Sequence, residues 1–204
     1  MRTLSVGLIA LLASTSMRAQ SPGVESVVNR LADSARARGL PTEPLLAKAA
    51  EGKLKGADST RIVDAVRGLI RELDVAKGTL CPNATGPELT AAASALHAGV
   101  TPAQLARVGR VSACGESGAS RPARLVMPLV VLADLVARRV STELAVSSLE
   151  TLVSRGAPDA QFASLRTAIE RDISNGDAPD AAMRRRSATV LRSLDPQSVP
   201  RPPA

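Results

Sequence analysis

Residues 62–78 read IVDAVRGLIRELDVAKG. Ile62, Val63, Val66, Leu69, Ile70 and Leu73 return at intervals of three and four, which gathers them on one face of an α-helix; a half-buried strand would alternate at every second residue. The intervening positions are mostly charged and suit the solvent side. The stretch predicts an amphipathic helix that stops at Gly78.

The flanking segments follow the same rule. Val24, Val27, Val28, Leu31, Ala32 and Ala35 share a helix face that ends at Gly39, where a left-handed residue is needed. A second helix is expected from Thr42 to Lys55, with Leu45, Leu46, Ala49 and Ala50 inward and Gly56 as its stop. Thr85-Gly86-Pro87-Glu88 has the form of a capping box, in which Thr and Glu each satisfy a free backbone N–H at a helix start. Thr101-Pro102-Ala103-Gln104 repeats the device with Pro at the first helical position, where its missing donor costs nothing. A Gly- and Ser-rich loop is expected over 113–121. A sixth helix follows over about 122–139, kinked or truly started at Pro128. A seventh runs from Ser141 to Gly156. The eighth carries Phe162, Leu165, Ile169 and Ile173 and stops at Asn175-Gly176, and Asp177-Ala178-Pro179-Asp180 caps a ninth. From Asp195 the prolines at 196, 200, 202 and 203 predict a disordered tail over 196–204.

The fold class is therefore all-α, an array or bundle of antiparallel helical hairpins with about eight or nine helices, occupying residues 20–195. The stops at Gly39, Gly56, Gly78, Gly99, Arg139, Gly156 and Gly176 give pairs of helices a period of roughly 40 residues, as in helical repeat proteins. No repeat consensus accompanies the period, so a solenoid and a compact bundle both remain open. The expected core includes Val63, Val66, Leu69, Ile70, Leu96, Leu105, Leu129, Leu132, Leu152, Leu165 and Ile169.

The first residues stand apart. Arg2 is followed by an uncharged apolar run, Leu4 to Ala13, then by small and polar residues up to Met17-Arg18-Ala19. That is the layout of a secretory signal peptide over 1–19, with cleavage expected after Ala19, or alternatively after Ser16. The run is too short to cross a bilayer, which takes about 20 apolar residues, and no transmembrane segment is expected in the mature chain. Export to a periplasmic or secreted location follows. The 26 basic residues outnumber 19 acidic ones, and only Lys48, Lys53, Lys55 and Lys77 are lysines. The excess suits loose attraction to anionic surfaces but specifies no partner. With no Trp or Tyr and Phe162 as the one aromatic, the chain lacks the stacking faces of sugar clefts and single-stranded nucleic-acid grooves, so no specific nucleic acid is expected.

The segment Lys48-x-x-Glu51-Gly52-x-x-Lys55-Gly56, with Ile62 and Ala65-Val66-Arg67 after it, resembles a group of exported helical bacterial proteins over residues 40–175. The resemblance implies an all-helical fold and export; it implies no activity, cofactor or site residue.

Candidate chemistry is sparse. His97, the one histidine, falls about a quarter-turn from the middle of the apolar face of the fourth helix. It is read as a boundary residue with its ring half covered rather than as a lone general base. No second His offers a metal set at helical spacing, so no catalytic residue, cofactor or metal ligand is assigned. Gly115-Glu116-Ser117-Gly118-Ala119 lacks the last glycine and the strand of a nucleophile elbow. Its Glu116-Ser117 pair also resembles the catalytic dipeptide of lytic transglycosylases, whose Glu would be a general acid beside a glycosidic bond. The family's Gly-Leu-Met-Gln motif and aromatic platforms are missing here. Arg184-Arg185-Arg186 could meet a phosphate-rich surface, although three consecutive helical residues fan over about 200° and form no flat patch. Cys81 and Cys114 are expected to be joined. Export permits a disulfide, and an antiparallel hairpin of the fourth and fifth helices brings its open ends together. The leading functional expectation is a non-catalytic exported scaffold or binding module for a protein or envelope component. The alternatives are a peptidoglycan-active enzyme using Glu116 and an envelope binder using Arg184–Arg186.

Overall fold

The computed structural model describes residues 23–111 and 125–194, and these form nine α-helices with no strand among them. In order they are α1 (Val24–Ala37), α2 (Glu43–Leu54), α3 (Ser59–Thr79), α4 (Gly86–His97), α5 (Pro102–Val111), α6 (Val126–Ala137), α7 (Thr142–Ser154), α8 (Asp159–Ser174) and α9 (Pro179–Ser193). The expected loop over 113–121, the first residues of the sixth helix, the leader and the tail lie outside the described residues.

One turn is used six times. Gly39, Gly56, Gly99, Arg139, Gly156 and Gly176 all have φ between 68° and 107°. The residue after each donates its N–H to the carbonyl five positions back: Leu40 to Ala35, Ala57 to Gly52, Val100 to Ala95, Val140 to Leu135, Ala157 to Leu152 and Asp177 to Asp172. The left-handed residue donates to the carbonyl three back in every case. These paired bonds satisfy carbonyls that a helix end would otherwise leave orphaned. They also reverse the chain within a few residues, which makes consecutive helices antiparallel. Arg139 is the one non-glycine among the described residues with positive φ.

Both capping boxes are present. Thr85 Oγ1 accepts from the N–H of Glu88 at 3.4 Å, and Glu88 Oε2 accepts from the N–H of Thr85 at 2.9 Å. Gln104 and Thr101 make the same exchange at 3.3 and 3.0 Å. Pro128 lies in the first turn of α6, so it marks the start of that helix rather than a kink.

Two expected signals are used differently. Gly78 does not stop α3, which runs on through Thr79 until Leu80 turns extended with ψ 174°. Asp177 does not cap α9; the residue at that position is Ala178, without a side-chain bond, while the Asp177 carboxylate is taken by Arg185.

Substantial packing joins helices one or two places apart in the chain. α4, α6 and α8 stack in one layer, and α3, α5, α7 and α9 in the other, with α1 against α3. The 21-residue α3 touches α1, α2, α4 and α5 and so joins the first two helices to the rest of the array. Each hairpin therefore leans on its neighbours, as in a two-layer helical array. α6 runs through its middle, burying Pro128, Leu129, Val131, Leu132 and Leu135, and Ala91, Ala92, Ala93 and Ala95 of α4 lie flush with other helices. Small side chains allow α4 and α6 to approach closely, so an Ala-rich helix serves as well as a Leu-rich one in a core without aromatics beyond Phe162.

Val66, Ile70, Leu105, Leu129, Leu132, Leu152, Leu165 and Ile169 are buried as expected. Val63 and Leu69 are only partly covered, because the seam of α3 runs along Ile62, Val66, Ile70 and Leu73 and leaves its flanks half open. Leu96 is also only partly covered, at the edge of the buried face of α4 formed by Leu89, Ala92, Ala93 and Ala95. On α2 the inward pair is Leu45 and Ala49; Leu46 is 44% exposed and Ala50 faces out, since α2 is covered by α1 and α3 on one side.

Candidate functional site

The arginines of α9 meet Asp172 of α8, one of three buried polar residues among those described. In the first five turns the residues at the two ends of the five-back bond are apolar or glycine; in the sixth both are aspartates, Asp172 and Asp177. A like-charged pair there would repel, and α9 resolves it. Arg186 grips Asp172 with Nε and Nη2 at 2.6 Å each, Arg185 reaches Asp172 at 2.8 Å, and Arg185 also binds Asp177. The Asp172 side chain is 7% exposed. Hydrogen bonds first from Arg186 and then from Arg185 hold its carboxyl well below the usual carboxylate range, against the opposing effect of its burial. A bidentate guanidinium pairing of this kind fixes geometry as well as charge. Arg184 points elsewhere, 3.9 Å from Asp180. Two of the three arginines thus bind α9 to the end of α8 and leave no triple cationic patch.

Other charges tie neighbouring hairpins together. Arg107 of α5 binds Glu143 at 2.6 Å and Glu150 at 2.9 Å on α7. Both carboxylates draw the Arg107 pKa upward, Glu143 most. Arg138 bonds Asp134 on its own helix at 3.1 Å and Glu170 on α8 at 2.8 Å. The second residues of α7 and α9 also face back along the array: Glu143 accepts from Gln104 at 3.4 Å, and Asp180 accepts from the N–H of Ser141 at 2.7 Å. Glu88 does more than cap α4. It is 2% exposed, and its second oxygen accepts from the N–H of Leu125 at 3.4 Å, where α6 begins.

His97 is not half covered. Its side chain is 77% exposed, and Nδ1 lies 2.8 Å from Glu72 Oε1 on α3. The pair joins α3 to α4 at the surface. Among the described residues no cluster of three or more His, Cys, Asp or Glu is placed to hold a metal ion, and no helix is long and apolar enough to cross a membrane.

Cys81 sits between α3 and α4, 5% exposed. Cys114 and Glu116 lie outside the described residues, so the expected pairing and the expected general acid have no geometry here. An open groove runs along the outer side of α8, lined by Ala163, Ser164, Thr167, Ala168 and Arg171.

Sequence reasoning missed the Asp172 network, the Glu72–His97 pair and the reach of Glu88 to α6. Only the first left a trace in the sequence: two aspartates five apart at a turn whose other copies are apolar. The other two depend on which helices meet. No protein-family model matches the chain, and no curated protein or solved structure matches it either.

Proposed function

We propose that this chain is a non-catalytic exported scaffold whose helical array holds a protein or a component of the cell envelope. The observation that carries the reading is the use made of the charged side chains. Arg107, Arg138, Arg185 and Arg186 each join their helix to another one or two places away in the chain. Arg107 and Arg138 tie helices within each layer, and Arg185 and Arg186 tie one layer to the other, which favours the fixed arrangement a rigid binding surface needs. Export rests on the leader-like residues 1–19 and on the resemblance noted above. A disulfide between Cys81 and Cys114 belongs to the same proposal. In its favour, the described cysteine is not free, and its position before α4 lies at the open end of the α4–α5 hairpin. Non-reducing mass spectrometry of the exported protein should find no alkylatable thiol; two free thiols would remove the disulfide.

The scaffold itself is tested by photo-crosslinking in cells from three exposed positions, Arg67 on α3, Ser94 on α4 and Thr167 on α8. A discrete adduct from one position, lost when neighbouring exposed residues are changed to bulky charged ones with the helical signal intact, is the expected result. Peptidoglycan clearing by the wild type that disappears in Glu116→Gln would overturn the reading in favour of a lytic enzyme.

A further inference from the structure

We draw no further inference here: the strongest candidate, the outward groove of α8 lined by Ala163, Ser164, Thr167, Ala168 and Arg171, is a stripe of small residues on a single helix, and nothing in the structure shows what covers it.

Discussion

Arg139 holds a backbone conformation that the other five turns give to glycine, with φ 69°. A side chain in the left-handed region costs roughly 1–2 kcal/mol, and glycine returns part of that gain through its larger unfolded-state entropy. Arg139 is exposed and has no charged partner within bonding distance among the described residues, whereas its neighbour Arg138 bonds Asp134 and Glu170. Arg139→Gly should therefore stabilise the fold by about 0.5–1 kcal/mol in chemical denaturation. A loss of stability would show that the arginine side chain contributes something the ion pairs do not reveal. Asp172 makes the opposite case, a residue whose charge the fold requires. Its folded-state pKa is depressed by Arg186 and Arg185, so the unfolded chain takes up the proton first as pH falls. The contribution is fully present above the ordinary aspartate pKa of about 3.9 and is lost progressively below it. The melting temperature of the wild type should fall between about pH 5 and pH 2 more steeply than that of Asp172→Asn, which starts lower at neutral pH. Parallel curves for the two proteins would mean that Asp172 is not coupled to folding through its charge.

At the scale of elements, two helical glycines look alike in the sequence and differ in the fold. A Cβ on Gly52 of α2 would stand 2.8 Å from Ile62 Cγ1, on a β-branched side chain buried in the seam of α3. A Cβ on Gly68 of α3 would meet only the end of Arg71, at 3.8 Å. Gly68→Ala should gain about 0.5–1 kcal/mol from helix propensity alone. Gly52→Ala carries the same propensity gain but forces α2 away from α3, and a net loss of about 1–2 kcal/mol is expected from overpacking. Equilibrium urea unfolding of the two variants compares them directly; equal gains would show that α2 can shift without cost. The helices themselves were legible because their period, caps and stops are local properties. Thr85, Glu88, Thr101 and Gln104 cap as the sequence predicts. Gly78 located the end of α3 only to within a residue, because it lies in the last helical turn rather than in the left-handed stop position and Thr79 continues the helix. Leu46 misled because an apolar arc can be wider than the neighbour that covers it, and α2 has cover on one side.

For the whole molecule, packing between helices one or two places apart makes stability a sum over neighbouring hairpins, with the end units held on one side only. Amide exchange should therefore be slowest in α6, whose apolar face is covered by α4, α7 and α8, and faster in α1, α2 and α9. Uniform protection across all nine helices would argue for one all-or-none unit instead. The sequence by itself determined that the chain is helical, where most helices begin and end, and that neighbouring helices run antiparallel, because hydrogen-bonded turns and side-chain periodicity act over a few residues. Only the tertiary structure decided that the hairpins stack as an array, that Arg185 and Arg186 turn inward to Asp172, and that His97 stands at the surface beside Glu72. Those outcomes depend on contacts between residues 13 to 43 positions apart. Two helix faces of equal hydrophobicity offer nothing in sequence to say which neighbour each will meet, and a charged side chain carries no record of its partner until the helices are packed.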